Sequence, residues 1–213
     1  MDFLPEVIEN YVIENSEKEP RYLNQLNRET NLKILNPRML SGHIQGRILS
    51  MLSNMIRPKR ILEIGTYTGY SALCLAEGLT RGGILYTIDI NEELEPIIKK
   101  YFSASDYANQ IQLKIGNALD IVAELDETFD LVFIDADKEN YSNYFDMVID
   151  KVRQGGYIIA DNVLWSGKVT EPINEDDIDT KSLIDYSKKV NNDLRVTSVL
   201  FPVRDGLMIS RKL

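Results

Sequence analysis

Residues 60–71 read Arg60-Ile61-Leu62-Glu63-Ile64-Gly65-Thr66-Tyr67-Thr68-Gly69-Tyr70-Ser71, and the fold prediction starts from this stretch. Its first half is a short apolar run, typical of a buried strand, that ends at a glycine. After the second glycine the chain continues into residues 70–76, whose apolar side chains have helical spacing. The pattern predicts a strand, a tight turn and a helix. In open α/β sheets such a turn lies beside a ligand-binding crevice.

Two acidic residues indicate what kind of ligand this turn suits. Gly65 and Gly69 are separated by three residues, which is not the spacing of a dinucleotide fingerprint. Glu63 in the strand would repel a pyrophosphate. Asp89 ends the next apolar strand, and an acid roughly twenty residues beyond the turn is suited to the hydroxyls of a ribose. The sequence therefore predicts an adenosine-type ligand without phosphates.

The order of apolar segments predicts an α/β fold in one domain. The chain has 213 residues and is 44% hydrophobic, enough for a substantial core. Residues 1–57 are expected to form a helical part with breaks at Pro20, Pro37 and Pro58, and its first helix should start at Phe3. From residue 60, strands alternate with helices, one of them over residues 141–152, which predicts a parallel sheet covered on both faces. Two final strands, 195–201 and 206–211, follow each other closely and should pair antiparallel.

Charge and targeting signals restrict the partners. The formal net charge is −9, which disfavours nucleic acid and anionic membrane surfaces as partners. The single cysteine, Cys74, allows no intrachain disulfide and is expected to pack in the core. The N-terminal residues have neither a basic nor an apolar targeting region, and no apolar run is long enough to span a membrane. A cytoplasmic location is expected.

Polar residues follow two further strands where each strand ends. Asp135 and Asp137 come after the apolar run 131–134, and Asp161 and Asn162 come after the run 157–160. Because the carboxyl ends of parallel strands lie at one edge of a sheet, these side chains should converge. Oxygen ligands of this kind suit Mg²⁺, with Ca²⁺ and Mn²⁺ as alternatives. The other interpretation is that each residue caps the helix that follows it.

Three more side chains are candidates for the same site. Lys138 follows the first acidic pair and could act as a general base if a nearby cation lowered its pKa. Its alternative role is a surface ion pair. Tyr67 and Trp165 could form the walls of a pocket or could be core aromatics.

Three segments together resemble one enzyme family. They are residues 63–71, residues 134–141 (Ile134-Asp135-Ala136-Asp137-Lys138-Glu139-Asn140-Tyr141) and residues 160–167 (Ala160-Asp161-Asn162-Val163-Leu164-Trp165-Ser166-Gly167). In this order and spacing they resemble the cation-dependent O-methyltransferases of the caffeoyl-coenzyme A and catechol type, over roughly residues 35–213. The segment 202–207 also matches, except that Arg204 replaces the glycine usual in the plant enzymes. Because Arg204 lies near where a substrate would enter, it puts the identity of the substrate in doubt.

The resemblance implies a Rossmann-like class I methyltransferase fold with a seven-stranded sheet, an antiparallel last strand and assembly as a homodimer. It implies that Asp135, Asp161 and Asn162 bind a divalent metal, and that Lys138 and Asp135 are catalytic, with Lys138 as the base. It also implies a set of residues that line the site for S-adenosylmethionine: Met39, Ser41, Glu63, Gly65, Thr66, Ser71, Asp89, Ala118 and Asp137.

The expected activity is methyl transfer from S-adenosylmethionine to a hydroxyl of a small, metal-chelated vicinal dihydroxy compound of the phenol or catechol type. Transfer to 5-hydroxyuridine in tRNA is the alternative within the family, and the net charge of −9 disfavours it. An NAD-dependent oxidoreductase is a rival interpretation, but this sequence lacks the third glycine of the dinucleotide fingerprint. A non-catalytic nucleotide- or metal-binding module is a rival from another class, and it would not need a base such as Lys138.

Overall fold

A computed structural model describes residues 5–213, which contain eight α-helices and seven strands. Short 3₁₀ turns over residues 37–39, 92–94, 138–140 and 165–170 separate some of these elements. None of the helices in this described part of the chain is long and apolar enough to cross a membrane. The helices are α1 (Glu6–Glu14), α2 (Arg21–Lys33), α3 (Gly42–Ile56), α4 (Tyr70–Ala76), α5 (Glu95–Ser103), α6 (Ala118–Glu124), α7 (Tyr141–Ile149) and α8 (Ile178–Asn192).

The strands form one sheet in the order β3-β2-β1-β4-β5-β7-β6. Pairing is parallel between β1 and β2, between β2 and β3, and between β4 and β5. The final strand, β7, is antiparallel to both β5 and β6. The strands are β1 (Arg60–Ile64), β2 (Ile84–Asp89), β3 (Ile111–Ile115), β4 (Phe129–Ile134), β5 (Val152–Ala160), β6 (Val196–Phe201) and β7 (Leu207–Lys212).

The described chain divides into two compact units, residues 5–118 and residues 119–213. In the first unit, α2 packs on α4, and Leu23 and Leu26 of α2 are fully buried. A buried hydrogen bond of 3.2 Å from Thr30 to Thr68 joins the end of α2 to the glycine turn. Helix α2 is therefore packed directly on the loop that the sequence singles out.

In the second unit the apolar strands β4 and β5 lie beside the antiparallel pair β7 and β6. Residues 131–134 of β4 are fully buried and pair in register with residues 157–160 of β5. Helices α7 and α8 pack together, and Tyr186 of α8 contacts Phe145 edge-on at a ring separation of 6.3 Å. Two buried strands thus end together at the residues expected to form a polar cluster.

Most of the predicted elements are confirmed, including the sheet and its antiparallel last strand, the burial of Cys74 and the helices between the prolines. The predicted start of the first helix at Phe3 lies outside the described residues. One boundary was wrong: helix α7 ends at Ile149, and β5 already begins at Val152. Gly155 has φ +74°, and the register with β4 shifts between Phe129 and Leu131, so the early part of β5 is irregular and lacks a clear strand pattern.

The expectation of a single domain over residues 1–213, with a helical part before residue 58, stays a prediction. The boundary between the two compact units lies at residues 118 and 119 and does not coincide with the end of the helical part.

The carboxylate of Glu29 on α2 joins this helix to α5. It accepts hydrogen bonds from Lys100 and Tyr101, the latter at 2.7 Å, and from Lys33 at 3.0 Å. The Lys100 contact, followed by those of Tyr101 and Lys33, lowers the pKa of Glu29 to about 2 from its usual 4.5. Because the folded pKa is depressed, this stabilisation is present above pH 4.5 and is lost as the pH falls through about 2.

We expect Glu29→Gln to lower the free energy of unfolding by about 1 kcal/mol at pH 7, a discounted value because the pair is partly exposed to solvent. The difference from the wild type should shrink as the pH falls from 4.5 towards 2, because the unfolded chain then binds a proton at Glu29 that the folded protein does not. Urea unfolding at pH 7 and pH 3 measures both values. The matched control is Glu95→Gln, which removes an exposed ion pair with Lys99 on α5. A difference that stayed constant with pH would contradict the assignment to the ionised carboxylate.

Candidate functional site

The glycine turn between β1 and α4 has the backbone that its sequence requires. Gly65 and Gly69 have φ values of +100° and +89°, in the region that favours glycine. A Cβ atom on Gly69 would lie 2.6 Å from the ring of Phe102. The N–H groups of Gly65 and Thr66 both donate to the carbonyl of Ile88 on β2, at 2.9 and 3.2 Å. The turn is therefore fixed against the end of the neighbouring strand.

Glu63 is fully buried in β1 and belongs to a hydrogen-bonded chain. Thr87, its register partner on β2, donates from Oγ1 to Glu63 Oε2 at 2.5 Å. Thr87 Oγ1 also lies 2.5 Å from Thr66 Oγ1 in the glycine turn. An acid in an apolar strand is costly unless it is hydrogen-bonded, and these contacts supply partners. They bring the predicted cofactor residues Glu63 and Thr66 together.

Asp89, at the end of β2, accepts two backbone hydrogen bonds. The N–H of Tyr67 donates to Oδ2 at 2.6 Å, and the N–H of Asn91 donates to Oδ1 at 2.8 Å. Each carboxylate oxygen can still accept another hydrogen bond, as the hydroxyls of a ribose would require. Asp89 thus fixes the glycine turn and is also able to bind a diol.

Tyr67 connects the turn to the segment before α3. Its φ is +50°, and its hydroxyl donates to the carbonyls of Leu35 and Asn36, both at 3.2 Å. This segment leads into the 3₁₀ turn that ends at Met39, which is 61% exposed, and then to Ser41, which is buried just before α3. Tyr67 therefore joins the glycine turn to the start of the segment that carries Met39 and Ser41.

The other predicted cofactor residues lie at helix starts. Ser71 is buried in the first turn of α4, and Ala118 is the first residue of α6. Asp137 lies in the second unit, where Tyr144 and Asn140 both donate to its carboxylate at 2.5 Å. The Asp137 hydrogen bonds therefore link the 3₁₀ turn 138–140 to α7, and the assignment of these three residues to a cofactor stays a prediction.

The predicted polar cluster of the second unit forms around Lys138. Its ammonium nitrogen lies 3.2 Å from Asp135 Oδ1 and 3.0 Å from Asn162 Oδ1, and it donates to the hydroxyl of Tyr141 at 2.7 Å. It is 5.7 Å from the centre of the Trp165 ring. Lys138 is 8% exposed, so the interpretation as a surface ion pair is wrong.

Tyr141 contacts this lysine with both its ring and its hydroxyl. Its ring centre lies 4.7 Å from Lys138 Nζ, and its hydroxyl donates to the backbone carbonyl of Asp161 at 3.0 Å. Burial, followed by the negative charges of Asp135 and Asp161, raises the pKa of Tyr141 well above its usual range. Tyr141 therefore remains a neutral phenol that accepts from Lys138, and both carboxylates lie near it.

The donor set fits a hard cation. One positive group, the Lys138 ammonium, already lies within hydrogen-bonding distance of oxygens from both Asp135 and Asn162. Asp161 is 3% exposed, and its Oδ1 accepts the N–H of Asn162 at 2.7 Å. Two carboxylates and an amide are oxygen donors of the type that Mg²⁺ and Ca²⁺ take. No group of three or more His, Cys, Asp or Glu side chains suited to a metal occurs within residues 5–213.

The structure thus forms two clusters of predicted residues. Glu63, Gly65, Thr66 and Asp89 are linked in the first unit, and Asp135, Lys138, Asp161 and Asn162 in the second. Sequence reasoning missed Thr87 and did not use Tyr141. Thr87 could have been found as a polar residue on the same face of β2 as Asp89, and Tyr141 as the residue one helical turn beyond Lys138.

Comparisons with known proteins agree on one family. A family model described as O-methyltransferase matches residues 13–213. Caffeoyl-CoA O-methyltransferase 5 of Nicotiana tabacum is 33% identical over 95% of this chain and 90% of its own length. Caffeoyl-CoA O-methyltransferase 2 of Eucalyptus globulus is 35% identical over 95% of this chain and 87% of its own length.

Solved structures give the same result. The SAH-bound methyltransferase PaMTH1 of Podospora anserina has a TM-score of 0.90 at 26% identity, covering 100% of this chain and 99% of its own. The O-methyltransferase TomG of Streptomyces achromogenes, in complex with SAM, has a TM-score of 0.88 at 27% identity, covering 97% of this chain and 96% of its own. The chain therefore belongs to the O-methyltransferase family, as an S-adenosylmethionine-dependent member of the caffeoyl-CoA type.

Proposed function

We propose that the chain methylates one hydroxyl of a small aromatic compound that carries two adjacent hydroxyls, and that it requires a divalent cation. The observation that carries this proposal is the contact of the Lys138 ammonium with oxygens of Asp135 and Asn162. A lysine placed among oxygen donors combines a proton acceptor with a cation site in one cluster. Two adjacent hydroxyls can chelate a cation, which would bring one of them close to this lysine.

The cofactor is assigned to the first cluster. Asp89 would bind the ribose hydroxyls through the lone pairs that its two backbone contacts leave available. Glu63 would face the methionine end, because a buried carboxylate favours an amine or a sulfonium over a phosphate. The positive φ values of the glycine turn allow its backbone to approach the ligand closely.

The cation, most simply Mg²⁺, would be held by Asp135, Asp161 and Asn162, with Ca²⁺ and Mn²⁺ as alternatives. When bound, the two groups supply a sulfonium methyl from S-adenosylmethionine and a positive charge that makes a chelated hydroxyl more acidic.

A residue of the chain would take up the proton that the substrate hydroxyl loses. Lys138 would accept the substrate hydroxyl proton at Nζ, and its contacts with Tyr141 and Trp165 would keep it directed into the cluster. The methyl group would pass from the sulfonium to the substrate oxygen, and the cofactor would leave as S-adenosylhomocysteine, a neutral thioether. The protein contributes orientation and exclusion of water rather than a covalent intermediate.

Several acidic residues around a concave surface favour a substrate without phosphate groups. A cavity of about 420 Å³ in the second unit is lined by Glu139, Lys168, Asn174, Asp176, Asp177, Ile178 and Asp179. The 3₁₀ turn 138–140 carries both Lys138 and Glu139, so this acidic surface and the lysine cluster share one turn of the chain. Phosphates of tRNA or of a coenzyme A thioester would be repelled here, since nucleic-acid affinity depends on neutralising phosphate charge. A small neutral or cationic catechol is therefore the preferred substrate.

The rival interpretation as a non-catalytic binding module is disfavoured, because such a module would not need a buried lysine among the candidate metal ligands. Homodimer assembly would suit helix α1, which has no buried residue and exposes Val7 and Tyr11 at 81% and 66%.

We expect turnover with a simple catechol, S-adenosylmethionine and Mg²⁺, and no methyl transfer to undermodified tRNA that contains 5-hydroxyuridine. The reason is the acidic surface beside Lys138. Mass spectrometry of both products, with the same enzyme preparation, measures the two activities. A matched phenol with a single hydroxyl is the control for chelation. Efficient methylation of the tRNA, or of the single phenol at the rate of the catechol, would contradict the proposed substrate class.

We expect Lys138→Ala to lower kcat by roughly 10²-fold or more with saturating catechol and Mg²⁺, the scale for loss of a general base. Binding of S-adenosylhomocysteine, measured by calorimetry, should be unchanged because Lys138 lies outside the first cluster. The control is Lys189→Ala, which removes an exposed contact with Asp146. A Lys138→Ala enzyme with undiminished kcat would show that the lysine does not take the proton.

A further inference from the structure

The loop after β5 has an unusual backbone. Four residues of the segment 162–167 have positive φ: Asn162 (59°), Trp165 (47°), Ser166 (54°) and Gly167 (86°). Three of them are not glycine. Such a conformation is unfavourable for a residue with a Cβ atom and persists only where surrounding contacts determine it. The contacts that fix this loop therefore decide where Asn162 and Trp165 lie.

Three hydrogen bonds join N–H groups of this loop to the turn between β6 and β7. The N–H of Val163 donates to the carbonyl of Gly206 at 3.2 Å, and the N–H of Leu164 donates to the carbonyl of Asp205 at 2.8 Å. The N–H of Ser166 donates to the Asp205 carboxylate at 2.5 Å. Asp205 thus binds the loop with its backbone and with its side chain.

Gly206 allows the β6–β7 turn to lie close to the loop 162–167. Its φ is +90°, and a Cβ atom at this position would lie 2.5 Å from Leu164 Cγ. The turn itself is closed by the N–H of Gly206, which donates to the carbonyl of Val203 at 2.9 Å. The turn is therefore a firm support on which the loop after β5 is fixed.

We propose that Asp205 is a positioning residue for the methyl-transfer reaction. It acts through the Ser166 and Leu164 N–H groups on Asn162 and Trp165, the two loop residues that contact or face Lys138. The inference rests on the proposed function. The Asp205 carboxylate is the one side-chain contact of the three, so removing it loosens the Trp165 end of the loop and leaves both backbone contacts available.

The chain provides a direct probe of this loop. Trp165 is its only tryptophan, so the intrinsic tryptophan fluorescence reports on this position alone. The variants are Asp205→Ala and Asp205→Asn. The asparagine amide oxygen can still accept the Ser166 N–H, although a neutral acceptor binds it less strongly than a carboxylate.

The matched control is Asp193→Ala. Asp193, in the connection between α8 and β6, also accepts a backbone N–H, that of Arg195 at 2.9 Å. Its side chain bonds to the Arg195 guanidinium rather than to the loop 162–167. It therefore matches the loss of a carboxylate bond without the proposed effect on Trp165.

We expect Asp205→Ala to increase acrylamide quenching of Trp165 and to lower kcat roughly tenfold or more, since small displacements of catalytic groups have large effects on rate. KM for S-adenosylmethionine should not change. Asp205→Asn should restore most of both properties, and Asp193→Ala should alter neither. Should Asp205→Ala not fold, Gly206→Ala, which forces Leu164 to move, should change quenching and kcat in the same direction.

Wild-type quenching and kcat in Asp205→Ala, or equal losses in Asp205→Ala and Asp193→Ala, would overturn the inference. Failure of the wild-type enzyme to methylate any dihydroxy substrate would instead contradict the proposed function. The quenching measurement needs no substrate, so the two failures can be told apart.

Discussion

Polar side chains at the carboxyl ends of buried strands need partners, because an unsatisfied buried polar group costs about 1–3 kcal/mol and a buried charge costs more. This constraint explains the local structure of both candidate clusters. Glu63 is bound by Thr87, which also contacts Thr66 in the glycine turn. Lys138 is bound by Asp135, Asn162 and Tyr141. In each case the contacts that make burial tolerable also fix the geometry that a ligand would use.

The same constraint links the candidate sites to strained backbone. Tyr67 has a positive φ, and its N–H binds the Asp89 carboxylate, while Asn162, Trp165 and Ser166 have positive φ in the loop that the β6–β7 turn binds. Such conformations are stable only where several contacts agree. Helix α2 supplies one such contact to the glycine turn, the buried hydrogen bond from Thr30 to Thr68.

Much of this structure could be predicted from the sequence because it follows from periodicity. The apolar runs before Gly65, Asp135 and Asp161 indicate buried strands, and the residues that follow them lie where strands end. What could not be predicted depends on contacts between distant segments. Nothing in the local pattern shows that Asp205 binds Ser166, or that the Tyr67 hydroxyl reaches Leu35 and Asn36. The irregular start of β5 was missed for a different, local reason: its two glycines resemble a turn rather than a strand.

The central claim is that the polar residues after β4 and β5 form one divalent-cation site. Its most direct test is a crystal structure of the protein soaked with Mn²⁺, with the metal located by anomalous scattering. We expect one strong peak about 2.0–2.6 Å from oxygens of Asp135, Asp161 and Asn162, with the Lys138 ammonium no longer bound to Asp135. A fully occupied peak elsewhere on the protein, with Lys138 still bonded to Asp135 and Asn162, would contradict it.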